Sequence, residues 1–157
     1  DLDRSHGDQP AARFAVLGTG GAARAVILGL RSRGAQVTVH GRNQATAQSV
    51  AEALGAQAGP WPPVPGSWDV LVNTTPLGSA KIPDASPLPG GPFGGRLVYD
   101  LTYGQAESPL LREAREAGCA TLDGLPMLIA QAERQFEWWT GQRPVPGVME
   151  NNARHHL

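Results

Sequence analysis

Apolar and polar residues follow one another along this chain in blocks whose period changes, and the changes mark its elements. Residues 13–17 (Arg-Phe-Ala-Val-Leu) are an almost unbroken apolar run, the pattern of a strand buried on both faces of a parallel sheet. A helix over 21–33 follows, with Ala25, Leu28 and Leu30 among its apolar positions and Gly34 as its stop. Residues 36–40 read as a second strand. Over 43–54, Ala47, Val50, Ala51 and Leu54 recur at helical spacing, and Gly55 ends that helix. The stretch 59–66, Gly-Pro-Trp-Pro-Pro-Val-Pro-Gly, excludes a regular interior element, because proline removes backbone donors and fixes φ. It reads as a surface loop with Trp61 shielding the sheet edge. Strands are expected over 69–72, 96–101 and 119–122, with a second loop rich in proline and glycine over 78–95. Ser108 and Pro109 suit the N-cap and first position of a helix running to 117. Over 125–139, Leu125, Leu128, Ile129, Ala132, Phe136 and Trp139 form one apolar stripe, closed by Gly141. Residues 1–12 read as the end of a helix and a linker, 13–146 as one domain, and 147–157 as a polar tail.

Strand and helix alternate throughout. That predicts an α/β fold: a Rossmann-like, doubly wound, mostly parallel sheet with helices on both faces. Such sheets bind ligands beyond the carboxyl ends of their strands, so the strand-to-helix corners are the places to look for chemistry. The first corner is Gly18-Thr19-Gly20-Gly21-Ala22-Ala23-Arg24-Ala25. A strand, a glycine turn and a small-residue helix leave backbone N–H groups aimed outward, where the helix dipole favours an anion. A side chain at Gly20 or Gly21 would hinder close approach of a pyrophosphate, and Ala25 lets the helix lie near the strand. This is a variant of the dinucleotide-binding fingerprint. Glycine-rich turns also serve as plain corners, so the motif alone leaves both readings open.

Composition narrows the class. Of 157 residues, 41% are hydrophobic and 17% charged, as in an ordinary globular domain with a real core. The net charge of −1, with no block of like charges, argues against nucleic acid or an anionic membrane as the main partner. The single cysteine, Cys119, has no internal partner and reads as a small core residue. No apolar stretch is long enough to span a bilayer, the first residues are not a signal peptide, and a cytoplasmic location is expected. His6, His40, His155 and His156 show no metal-ligand spacing.

The second strand ends in Val39-His40-Gly41-Arg42-Asn43, beside the first turn. A carboxylate here would bind the ribose hydroxyls of NAD. None is present, and Arg42 offers a guanidinium suited to the 2′-phosphate of NADP; the competing reading is a solvated arginine opening a helix. Asn73-Thr74-Thr75-Pro76-Leu77-Gly78 follows the strand over 69–72. Its polar side chains suit the central phosphates or the nicotinamide ribose, and equally an Asx turn before a proline; the two readings are compatible. Asp100-Leu101-Thr102-Tyr103 occupies the next corner, with Asp100 read as shaping the loop and Tyr103 as a phenol facing a substrate. Gln131 lies beside the apolar stripe, a place more typical of a surface hydrogen-bonding residue.

Taken together, these corners resemble the shikimate dehydrogenase family. The likeness runs from residue 1 to about Pro146 and rests on the first glycine turn, Gly41-Arg42-Asn43, Asn73 to Gly78, Tyr99 to Tyr103, Ser108 to Leu111, and Gly124 to Ala132. The resemblance implies reduction of 3-dehydroshikimate to shikimate with NADPH, in the route to chorismate and the aromatic amino acids. It implies that Gly18, Thr19, Gly20, Gly21 and Ala22 cradle the pyrophosphate. Gly41, Arg42 and Asn43 would hold the 2′-phosphate. Thr74, Thr75, Leu101 and Gly124 would line the nicotinamide half, and Tyr103 and Gln131 would touch the substrate. Two departures stand out: the family's Asn-Arg-Thr is Gly41-Arg42-Asn43 here, and Ser79 replaces a frequent methionine. The family's N-terminal substrate domain, with its catalytic lysine and aspartate, has no counterpart before the glycine turn, and the sole lysine, Lys81, matches no catalytic position. The expectation is a cofactor-binding domain that is not catalytic by itself. A quinate/shikimate dehydrogenase paralogue and a stand-alone NADP-binding regulatory module are the alternatives.

Overall fold

The computed structural model describes residues 12–104 and 106–156; the expected helix end and linker over 1–12 lie outside them except for Ala12, which is buried. Among the described residues six strands and five helices follow in the order β1 (Arg13–Leu17), α1 (Gly21–Arg31), β2 (Gln36–His40), α2 (Gln44–Leu54), β3 (Gln57–Gly59), β4 (Val70–Asn73), β5 (Leu97–Asp100), α3 (Pro109–Glu116), β6 (Ala120–Leu122), α4 (Leu125–Thr140) and α5 (Val148–His156), with no helix between β3, β4 and β5. The strands form one sheet in the order β3-β2-β1-β4-β5-β6, with every pair parallel. From β1 at the centre the chain winds outward through β3 and returns to lay β4 on the other side of β1. The order reverses between β1 and β4, and a crevice opens there.

Alternation along each strand divides the core in two. Phe14, Val16, Val37, Val39, Val70 and Val72 face Ala23 and Ile27 of α1 and Ala47, Val50 and Ala51 of α2. Ala15, Leu17, Leu71 and Val98 face Leu110, Leu111 and Ala114 of α3, together with Trp68 and Leu88 from the loops. Cys119 belongs to this second cluster, and its thiol donates to the Gly95 carbonyl (3.3 Å). Burial pushes that thiol's pKa up.

The cap expected at Ser108 is present, and α2 has one the sequence reading did not name. Ser108 accepts from Leu111 N at the head of α3, with Pro109 in its first turn, and Asn43 accepts from Thr46 N at the head of α2. Gly55, at φ +65°, ends α2 in the left-handed conformation that glycine adopts without a Cβ penalty.

Four expectations change. Residues 57–59 (Gln-Ala-Gly) form β3, a strand the sequence did not predict and one that takes in Gly59, read as the start of a loop; their own strand preference is low, and pairing with β2 supplies the order. Trp61 does not simply shield the sheet edge, since it lines the crevice. The stripe on α4 is only half-covered: none of its residues is fully buried, and Trp139 is 75% exposed. Within the span read as a polar tail, Val148–His156 are helical, and the Asn152 side chain donates to the Val148 carbonyl (2.9 Å).

Candidate cofactor-binding site

The crevice at the switch point has a volume of about 580 Å³ and is lined by Gly18, Thr19, Gly20, Gly41, Arg42, Asn43, Trp61, Thr74, Thr75 and Pro76. Each comes from the carboxyl end of a strand, so the ends of β1, β2, β3 and β4 converge on it.

Its floor is the turn after β1. Gly18 N donates to the His40 carbonyl (2.9 Å), which bends the chain across the end of β2. Gly18 sits at φ +112°, and a Cβ there would lie 2.6 Å from Thr74 Oγ1. Glycine is required on both counts. Gly20 and Gly21 differ: a Cβ on either would meet no protein atom within 4 Å, so their missing side chains leave open space in front of α1. Gly20 caps α1 without any side-chain hydrogen bond, and no acidic residue lies in the first turn. The amides opening α1 are therefore presented to a ligand anion rather than to the protein.

The side wall is the end of β2. Gly41 allows Thr19 to approach, since a Cβ would stand 3.0 Å from Thr19 Cγ2. Arg42 is exposed and lines the crevice. Asn43 also lines it, but its side-chain oxygen is engaged as the cap of α2. His40 is buried; burial lowers its pKa, and the hydrogen bond to the Pro60 carbonyl (2.7 Å) opposes that shift.

The far wall is the corner after β4. Thr74 Oγ1 donates to the Leu17 carbonyl (2.6 Å), and Thr75 donates through both N and Oγ1 to Asn73 Oδ1 (2.9 and 2.7 Å). Both hydroxyl protons are thus committed to the protein, leaving lone pairs facing the crevice. Anion binding falls to main-chain amides and Arg42. Behind this corner Asp100 is fully buried and accepts from Asn73 Nδ2 (2.9 Å), Thr102 N (3.0 Å) and Ser108 Oγ (2.6 Å). Burial raises its carboxyl pKa, and these bonds partly oppose the shift. The loop-shaping role read for Asp100 fits this geometry.

Leu101 and Gly124 lie elsewhere, at the ends of β5 and β6. A Cβ on Gly124 would overlap the Leu101 carbonyl, and Gly124 N donates to the Thr102 carbonyl (2.9 Å), so the two corners touch. Neither lines the crevice, nor do Gly21 and Ala22 at the start of α1. Tyr103 is 42% exposed and Gln131 is exposed on α4, both outside the lining. The sequence reading did not place Trp61 and Pro76 at the site. No local signal marked Trp61, because the strand it follows was not expected; Pro76 was visible only as part of a turn. Among the described residues there is no group of three or more His, Cys, Asp or Glu able to hold a metal, and no helix long and apolar enough to cross a membrane.

Known proteins share this arrangement. The profile described as shikimate 5′-dehydrogenase C-terminal domain matches residues 124–154, which carries the likeness past Pro146 into α5. The profile described as NADP oxidoreductase, coenzyme F420-dependent, matches residues 13–65. A shikimate dehydrogenase (NADP(+)) of Methanocella arvoryzae is 42% identical over 151 residues, covering 90% of this chain and 55% of the relative. The crystal structure of shikimate 5-dehydrogenase from Thermus thermophilus in complex with NADP(H) and shikimate is 38% identical. It superposes with a TM-score of 0.87, over 99% of this chain and 59% of that one. A shikimate dehydrogenase crystallised with NADP+ reaches 0.88 at 28% identity, over 98% of this chain and 57% of that one. The chain thus spans about half the length of the relatives it matches. The six-stranded parallel sheet, the glycine turn at its switch point and these matches agree: over its described length the chain is similar to the C-terminal half of the shikimate dehydrogenases.

Proposed function

We propose that this chain is the NADP-binding half of an NADP-dependent shikimate dehydrogenase, the enzyme that reduces 3-dehydroshikimate to shikimate in chorismate and aromatic amino acid biosynthesis. The observation that carries the cofactor is Arg42 on the crevice wall, with no acid among the lining residues. A carboxylate at the end of β2 would accept from ribose hydroxyls and repel a 2′-phosphate, whereas a guanidinium binds that phosphate through parallel N–H donors. The amides at the head of α1 hold the pyrophosphate, and the open space in front of Gly20 and Gly21 lets it approach.

The bound coenzyme supplies the hydride. The chain's own part is to bind and orient it: Thr74 and Thr75 offer lone pairs to the nicotinamide half, and Leu101 and Gly124 bound that half at the next corners. Tyr103 and Gln131, both exposed, are the groups offered to the substrate. Proton transfer at the substrate oxygen needs an acid or base held against it. No lysine, histidine, aspartate or glutamate lines the crevice, so this reading assigns that step to a separate substrate domain. A cytoplasmic location goes with it.

Calorimetric titration of the chain with NADPH and NADH tests the proposal. The expected result is a preference for NADPH of about tenfold or more, the scale of a charge-assisted phosphate contact. Equal affinities, or tighter NADH, overturn it. With NADP+ and shikimate the chain alone is expected to show no turnover; measurable NADPH formation would defeat the division of labour.

A further inference from the structure

The geometry points to Trp61 as the wall on which the cofactor's purine stacks, with His40 as the residue that positions it. This inference rests on the NADP reading above and deepens it, because no residue of the family likeness accounts for the base.

The chemistry of the ligand says where the base must lie. In NADP the purine is bonded to C1′ of the same ribose that carries the 2′-phosphate on C2′. Whatever surface lies next to Arg42 therefore meets the purine. Among the lining residues Trp61 is the only aromatic side chain. The fold brings it there: His40 pairs with Gly59 at the carboxyl ends of β2 and β3, and Arg42 and Trp61, each two residues further on, both line the crevice. A flat indole and a guanidinium at one strand end form a slot for a phosphorylated nucleoside.

The indole is held before any ligand arrives. Its half-buried ring rests against the cluster that contains Leu17, Trp68 and Leu71. The backbone before it is fixed by His40, 2% exposed, which donates through Nδ1 to the Pro60 carbonyl at 2.7 Å. A carbonyl only accepts, so Nδ1 carries the proton. Gly59 makes this bond possible: a Cβ there would overlap the His40 ring and stand 2.7 Å from Thr38 Cγ2. Gly59, His40 and Pro60 together anchor the segment that carries Trp61. Fixing the ring in advance lowers the ordering cost that stacking would otherwise carry.

The test uses 2′,5′-ADP, which carries the base and the 2′-phosphate but no nicotinamide, on the full chain. Wild type is expected to bind it with a change in tryptophan fluorescence. Trp61→Ala should bind about 5- to 100-fold more weakly, the usual loss for removing one base-stacking aromatic. Trp61→Phe should retain most of the affinity while losing most of the fluorescence change. His40→Leu, with Trp61 intact, should weaken binding while the far-ultraviolet dichroism stays that of wild type. Equal affinity in Trp61→Ala and wild type overturns the inference. So does an undiminished fluorescence change in Trp61→Phe, a readout that survives if the alanine variant misfolds. Failure of wild type to bind 2′,5′-ADP at all overturns the NADP reading instead.

Discussion

Asp100→Ala tests how the crevice is held in shape. The carboxylate is fully buried and accepts three hydrogen bonds, from Asn73 Nδ2, Thr102 N and Ser108 Oγ. Alanine removes the acceptor and leaves three donors in a dry corner. Each buried donor so stranded costs about 1–3 kcal/mol. Two partners soften the loss: Asn73 Nδ2 keeps a longer bond to the Leu77 carbonyl (3.3 Å), and the Ser108 hydroxyl can rotate. Releasing a carboxylate whose burial raises its pKa returns part of the cost as well. The balance is a loss of about 3 kcal/mol, a large share of the 5–15 kcal/mol typical of a domain. Urea denaturation should show a lower midpoint with an unchanged slope. The pH dependence has a defined sign. An acid whose folded pKa lies above its ordinary 3.8 holds its proton more tightly in the native state. Its contribution is fully present below 3.8 and declines as pH rises through the raised folded value. The gap between wild type and Asp100→Ala should therefore narrow as pH rises from acid to neutral. A loss below about 1 kcal/mol, or a gap that widens with pH, would refute the account of Asp100 as the tie between these corners.

Two further substitutions separate shape from binding. Gly18→Ala combines a φ of +112° with a Cβ 2.6 Å from Thr74 Oγ1, so it should destabilise the fold by about 2–4 kcal/mol; Gly20→Ala meets no protein atom and should unfold like wild type while binding NADPH more weakly. Denaturation curves and calorimetry on the pair check this, and a stable Gly18→Ala would refute the close-approach argument. Arg42→Ala should raise the Kd for NADPH about 10- to 100-fold and leave that for NADH unchanged, which a two-cofactor titration reads directly.

The parallel sheet, the Ser108 cap and the switch-point corner were legible because each has a local cause: a buried apolar run, a Ser before a Pro-opened helix, a glycine turn after a strand. What escaped depends on distant partners. Residues 57–59 carry no β-branched side chain, and only the neighbouring edge of β2 makes them a strand. Trp61 looked like cover for an edge because its place in the crevice with Arg42 follows from that unseen strand. The helix over Val148–His156 has a mostly polar sequence, with Val148, Met149 and Ala153 as its apolar residues. The Thr75 bond to Asn73 is the local Asx-type turn the sequence allowed, whereas the Thr74 bond to the Leu17 carbonyl is visible only once β1 and β4 lie side by side.

The strand order also dictates how the domain comes into being. β1 pairs with β2 on one side and with β4 on the other, so residues 13–17 must wait for residues 70–73 before their second edge is covered. A ribosome delivers β1, β2 and β3 first, and until β4 emerges the innermost strand offers unsatisfied amides and carbonyls to any passing chain. The very seam that becomes the crevice is the last part of the sheet's centre to close, which makes it the place where nascent copies of this domain are most exposed to misassembly.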